Sequence, residues 1–331
     1  MNNVTRRTFS ALLAAGGAAP FVSRSWARED PLEEAIAALD QLHSLQVQIG
    51  PNLVFAEAPR GRGLSDPANI KSCSKSLVAL LLGTCLDRGE IGSIQDRLRD
   101  VAPKLVPSDA DGRVAGLTME NLVTLSAGLE PTSGAEYGAW VSSPNWVADA
   151  LSRPMIAEPG TRMIYSTGTT HILGAVLSEV TGKSLLELAR ERLGEPLGFD
   201  VSPWIADPQG FYLGGNEMSI TPEAMLKVAL MMRDGGIFDG ETIIPSGWIR
   251  SSKQPRVRSP YSGMRYGYGW FVTDSGYVLA RGYGGQIIAA HEEAHLAVAI
   301  TSDPNRPART AGYFGDLIAL LDGPILEMGS R

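Results

Sequence analysis

Apolar residues recur with strand spacing near both ends of this chain and with helical spacing through its middle, and that arrangement limits the folds open to it. Leu45 to Ile49 and Asn52 to Ala56 flank Gly50-Pro51, the signature of a hairpin. β-branched and aromatic runs return after about residue 265, at Tyr268 to Thr273, Tyr277 to Ala280, Gln286 to Ala290 and Leu296 to Thr301. Between the two ends, Leu77, Val78, Leu81, Leu82, Cys85 and Leu86 recur at helical spacing up to Gly89, and Ile172, Leu173, Val176, Leu177 and Val180 do so up to Gly182. Thr221-Pro222-Glu223 opens another helix that stops at Gly235-Gly236, and amphipathic helices are expected at Leu32 to Leu42 and at about Thr310 to Leu321.

Strands contributed by both termini with helices between them imply an α/β (α+β sandwich) fold. Its antiparallel sheet is flanked by N- and C-terminal helices and interrupted by an inserted, mainly helical domain. The expected division is residues 28–73 with 255–331 for the α/β domain and 74–254 for the insertion, with the active site between the two parts. At 331 residues and 44% hydrophobic, the chain can bury a core without disulfides or metals. Cys73 and Cys85 fall on one predicted helix, about 18 Å apart at 1.5 Å per residue, so both are expected as free thiols.

Residues 1–27 read as an address rather than as fold. Thr5-Arg6-Arg7-Thr8-Phe9, the apolar stretch Leu12 to Phe21 and the small-residue site Ser25-Trp26-Ala27 resemble a twin-arginine export signal, implying a periplasmic or secreted protein. Gly16, Gly17, Pro20 and Arg24 break the stretch as a membrane span, so no stable insertion is expected once the signal is removed. Removal takes away three arginines and no acid, shifting the formal charge from −7 to about −10. So acidic a chain has no general attraction for nucleic acid or anionic lipid.

The chemistry concentrates at Ser72-Cys73-Ser74-Lys75, where a serine precedes a lysine by three at a helix start. Positions i and i+3 share a helix face, so the amine can reach back to the hydroxyl. An alcohol is a weak nucleophile until a neighbouring base takes its proton, and Lys75 is placed to be that base. A free lysine is neutral in about one molecule in 2,500 at pH 7, so the role requires a lowered pKa. Burial and the positive end of the helix both push it down.

The surrounding sequence resembles the serine β-lactamase and penicillin-binding superfamily, on its class C and esterase side. Lys71-Ser72-Cys73-Ser74-Lys75-Ser76 matches the first motif; Leu117-Thr118-Met119-Glu120-Asn121-Leu122 and Ser126-Ala127-Gly128-Leu129 match the interdomain segment. Pro159-Gly160-Thr161-Arg162 leads into Tyr165-Ser166-Thr167-Gly168, the Tyr-x-Asn region, and Gly282-Tyr283-Gly284-Gly285-Gln286 stands at the third motif. Asp207-Pro208-Gln209-Gly210, Leu213-Gly214-Gly215 and Tyr266-Gly267-Tyr268-Gly269-Trp270 resemble the branch that includes 6-aminohexanoate-dimer hydrolases.

The resemblance implies an acyl-enzyme on Ser72, with Tyr165 exchanging protons with Lys75 and the leaving group. It also implies an oxyanion hole from the backbone N–H groups of Ser72 and Gln286, and substrate contacts at Thr167, Tyr283, Gly284 and Gly285. No cofactor or metal is implied, and the partner is a small ester or amide. Two departures bear on substrate: Tyr283 stands where Lys or His is usual, and Thr167 replaces the asparagine. Tyrosine cannot supply a charge for a substrate carboxylate, which counts against a true β-lactamase or D-Ala carboxypeptidase.

Two readings compete from other classes. One is a cell-wall binding or sensing module without turnover. The other is a zinc protease through His291-Glu292-Glu293-Ala294-His295, a string that binds metal only if it is helical. Leu296 to Thr301 reads instead as a strand after a polar turn. Gly182-Lys183-Ser184 lacks the earlier glycine of a phosphate loop, Leu177 standing there, and reads as a cap before the capping box Ser184-Leu185-Leu186-Glu187.

Overall fold

The computed structural model describes residues 31–329, so residues 1–27, read above as an export signal, lie outside the described residues. Helix α1 (Pro31–Ala38) leads into the hairpin β1 (Leu42–Ile49) and β2 (Asn52–Glu57). The helices that matter for the site are α2 (Ser74–Asp87), α3 (Thr167–Thr181) and α4 (Pro222–Arg233). Strands β3 (Val257–Arg258), β4 (Arg265–Tyr266), β5 (Phe271–Val272), β6 (Val278–Arg281), β7 (Ile287–His291) and β8 (Leu296–Ser302) follow, and then α5 (Tyr313–Leu320).

The eight strands form one sheet in the order β2-β1-β8-β7-β6-β5-β4-β3, every neighbouring pair antiparallel. First and last parts of the chain meet between the sheet's second and third strands, where Val47 pairs with Val298 and Leu45 with Ile300. The late strands read as unbroken apolar runs because both of their faces are covered. Leu279, Ile287, Ala289, Leu296, Val298 and Ile300 face a core shared with α1 and α5. Their alternates Val278, Ala280, Ile288, Ala290, Ala297 and Ala299 face a second core shared with α2 and α4. Alanines on that second face let α4 lie close across β7 and β8, while branched side chains fill the other face.

Helix α2 is buried from Ser74 to Cys85, which explains why its apolar residues show little one-sidedness. Gly83 in its middle lies under the Trp248 indole, which in turn stacks on Tyr268 with ring centroids 5.0 Å apart. The capping box at Ser184 and Glu187 forms as the spacing predicts. Two short ribbons, Ala68–Asn69 with Ser219–Ile220 and Ile237–Phe238 with Glu241–Thr242, sit within the otherwise helical middle.

Three local expectations differ from the structure. The first helix ends at Ala38, and Leu42 already belongs to β1, because Leu39 and Leu42 close successive turns on Ile36 and Leu39. The strand expected from Tyr268 begins at Phe271, since Gly269 adopts φ 79°, a left-handed conformation that ends extended pairing. Residues 292–295 form the turn between β7 and β8, with His295 at φ 52°, so His291 and His295 do not share a helix face. Both cysteines are buried free thiols. Among the described residues no helix is long and apolar enough to cross a membrane.

Gly83→Ala tests how tightly α2 is packed. Alanine is the better helix former by about 1 kcal/mol, but its methyl would meet the Trp248 ring. We expect a net loss of about 1–3 kcal/mol in unfolding free energy by urea titration; a gain would show that Trp248 can retreat without cost.

Candidate active site

Ser72 sits in a single 3-10 turn, Lys71–Cys73, that runs directly into α2. Lys71 is held at φ 49°, unusual for a residue with a side chain and of order 1–3 kcal/mol in strain. Its N–H donates to Asn69 Oδ1 at 2.9 Å and its ammonium pairs with Glu217 at 3.0 Å, which together hold the bend that presents Ser72. Ser74 closes the turn by donating its hydroxyl to the Lys71 carbonyl at 2.6 Å.

Lys75 lies one turn beyond Ser72 and is only 4% exposed. Its Nζ is 3.1 Å from Ser72 Oγ, 3.3 Å from Thr167 Oγ1 and 2.6 Å from the Gly215 carbonyl. Burial lowers its pKa from 10.5 to about 7, because charge on the amine would have no water around it. Nζ also stands 4.9 Å from the centre of the Tyr165 ring, over its face. Burial raises the Tyr165 pKa, an effect opposed by the Ser72 hydroxyl and by the charge of Arg281.

These groups open onto a cleft of about 820 Å³ whose walls include Ser72, Tyr165, Thr167, Arg281, Gly282 and Tyr283. Thr167 begins α3, and Ser133 fixes it by accepting its N–H at 2.8 Å and contacting its hydroxyl at 3.0 Å. The Thr167 hydroxyl is therefore engaged with Lys75 and Ser133, where the sequence pointed to substrate. Tyr283 is 56% exposed at the cleft mouth.

The turn from β6 to β7 places three other expected residues away from the cleft wall. Gln286 does not line the cleft: it is fully buried, its side chain accepting the Gly284 N–H at 3.0 Å and donating to the Ser302 carbonyl at 2.9 Å. Gly284 faces the backbone of Asp303, and a side chain on Gly285 would reach Tyr313 at 2.7 Å, so neither glycine makes room for substrate. The close approach belongs to Gly282, where a Cβ would stand 2.7 Å from the Ile70 carbonyl. Among the described residues, the N–H groups of Ser72 and Tyr283 have no protein acceptor.

Two further residues belong to the site. Gly215 contributes only a backbone carbonyl, which no residue type signals. Arg281 on β6 lines the cleft, donates to Ala308 O at 2.8 Å and Thr310 Oγ1 at 3.3 Å, and lies 3.5 Å from the centre of the Phe314 ring. Burial lowers its pKa to about 10, yet it is still cationic at neutral pH. Among the described residues no group of three or more His, Cys, Asp and Glu side chains is placed to hold a metal.

Several known proteins are similar to this chain. A 6-aminohexanoate-dimer hydrolase of Paenarthrobacter ureafaciens is 26% identical over 213 residues, covering 60% of this chain and 54% of that protein. A lovastatin esterase of Penicillium rubens is 26% identical over 172 residues, covering 45% and 42%. The matches thus span about half the length of these relatives. Among solved structures, the hydrolase EstCE1, described as having promiscuous acyltransferase activity, superposes with a TM-score of 0.74 at 17% identity, covering 89% of this chain and 96% of that one. A penicillin-binding protein homologue from Caulobacter crescentus gives 0.70 at 17%, covering 88% and 95%. Both share the fold. The family model for beta-lactamase matches residues 66–322, a span that takes in Ser72, Lys75, Tyr165 and the β6–β7 turn, and the chain belongs to the beta-lactamase family.

Proposed function

We propose that this chain is a serine hydrolase that cleaves small esters or amides through an acyl-enzyme on Ser72. The observation that carries the reading is the buried amine of Lys75, 3.1 Å from Ser72 Oγ with its pKa at about 7. At that value about half of the molecules hold a neutral amine at pH 7, against about one in 2,500 for a free lysine. A neutral amine has two N–H donors and one lone pair. With the donors given to Gly215 O and Thr167 Oγ1, the lone pair is left for the Ser72 hydroxyl.

Ser72 Oγ attacks the substrate carbonyl as its proton passes to Lys75. The oxyanion falls to the free N–H groups of Ser72 and Tyr283, Tyr283 replacing Gln286 in that role because it lines the cleft. Tyr165, protonated at neutral pH, is the acid for the leaving group. Water then releases the acid product from Ser72 with the proton transfers reversed. Esterase and amide-hydrolase activities are the described functions of the relatives, and this site contains what both need. Export rests on Arg6-Arg7 and Ser25-Trp26-Ala27 alone.

A fluorophosphonate should label the peptide containing Ser72, and Ser72→Ala should abolish both labelling and turnover. Lys75→Arg, which keeps charge but cannot deprotonate, should lower kcat by orders of magnitude in a folded protein. Labelling elsewhere, or Lys75→Arg at wild-type rates, would overturn the mechanism; an acyl adduct that forms and never turns over would favour the sensing module.

Because the base must be neutral, kcat/KM should fall about tenfold per pH unit below a limb near pH 7, the value to which burial lowers Lys75. A flat profile from pH 5 to 8 would exclude Lys75 as the titrating base.

Substrate preference follows from the charges in the cleft. Tyr283 supplies none, and the Arg281 guanidinium is tied to Ala308, Thr310 and the Phe314 ring. Neutral substrates need neither, and an aryl ester has a leaving group that asks little of Tyr165. We expect kcat/KM for a short-chain aryl ester to exceed that for a penicillin by at least about tenfold, or about 1.4 kcal/mol. The reverse order would make Arg281 the carboxylate anchor.

A further inference from the structure

Behind the cleft wall, across the Gly214–Gly215 strap from Lys75, lies a buried pair that acyl transfer does not use. The side chains of His171 and Asp207 are wholly enclosed, with Nε2 3.1 Å from Oδ2. The second oxygen of Asp207 accepts the N–H groups of Gln209 and Phe211, both at 2.9 Å. The imidazole packs against both Trp140 and Trp146, at ring-centroid distances of 5.7 and 5.6 Å, and the two indoles are themselves 5.5 Å apart. Its Nδ1 accepts the N–H of Gly214 at 3.4 Å. With Nδ1 placed as the acceptor, Nε2 is the donor to Asp207.

What His171 grips is the strap that aims Lys75. Gly214 lies so close to α3 that a Cβ there would stand 2.5 Å from the Thr170 carbonyl. A Cβ on Gly215 would stand 2.9 Å from the Thr167 carbonyl and 3.2 Å from Lys75 Nζ. The Gly215 carbonyl accepts from Lys75 at 2.6 Å. We infer that His171, locked in one tautomer by Asp207, is a positioning residue for hydrolysis: by receiving the Gly214 N–H it sets the Gly215 carbonyl that turns the Lys75 lone pair toward Ser72. The inference rests on Lys75 being the base.

Asp207→Asn is the sharpest test. The amide oxygen can still serve Gln209 and Phe211, but its N–H would face Nε2 and drive the ring proton to Nδ1, against the Gly214 N–H. We expect kcat for an aryl ester to fall by about tenfold or more with KM within about twofold. Unchanged kcat in the folded variant overturns the inference. If Asp207→Asn does not fold, His171→Asn and His171→Leu decide, since both lose the Asp207 contact and only Asn keeps an acceptor for Gly214. We expect the Asn variant to hold kcat about tenfold or more above the Leu variant, and equal rates overturn the inference. Fluorophosphonate labelling separates the failures. Absence of Ser72 labelling in the wild type refutes the Ser-Lys mechanism itself, whereas wild-type labelling with an equal rate in Asp207→Asn refutes only the role of His171.

Discussion

Lys75 loses its water shell between α2, Thr167 and the Gly214–Gly215 strap, and the rest of the site is arranged around that loss. Moving a lysine pKa from 10.5 to about 7 corresponds to about 5 kcal/mol against the charged form. Such a cost is sustained only in a rigid setting. Helix α2 supplies it by being buried from Ser74 to Cys85, which fixes the stem of Lys75 and the turn carrying Ser72 together. Acceptors at Thr167 and Gly215 satisfy the N–H groups that desolvation would otherwise orphan.

The sheet serves this arrangement through the different sizes of its two faces. Branched and aromatic side chains fill the core under α1 and α5, while alanines at 280, 290, 297 and 299 admit the helical part of the chain closely on the other face. Strand β6 therefore ends beside the Ser72 turn. Gly282 completes the approach, lacking the Cβ that would strike the Ile70 carbonyl. Cys73, pointing inward, ties the same turn to β7 through a contact at 3.4 Å between its sulfur and the Gln286 carbonyl, and burial raises its thiol pKa so that it stays protonated.

The cleft holds charges of both signs at different places. Lys71 and Glu217 neutralise each other beside Ser72, with Asn69 donating to the second Glu217 oxygen at 2.6 Å. Arg281 on the opposite wall has no carboxylate partner among the described residues and faces Tyr165. Its charge acts on the acid phenol, while its guanidinium N–H groups and its face are already taken by Ala308, Thr310 and the Phe314 ring.

The sequence by itself determined the elements that depend on neighbours along the chain. The i, i+3 geometry brought Ser72 to Lys75, helical spacing located α2, α3 and α4, and the capping box marked the helix after Ser184. The order of motifs was also legible, since Tyr165 and the β6–β7 turn both reach the cleft. Tertiary structure alone decided which residues of that turn face it. Gly282, Gly284 and Gly285 are alike in sequence, but each is small for a different neighbour, the Ile70 carbonyl, the Asp303 backbone and α5. The roles of Gly215, His171 and Asp207 were likewise hidden, because a backbone carbonyl has no letter of its own and a buried pair shows its purpose only through what it touches. Local periodicity is written in the side chains, whereas the direction of a carbonyl or an N–H is set by packing between segments far apart in the chain.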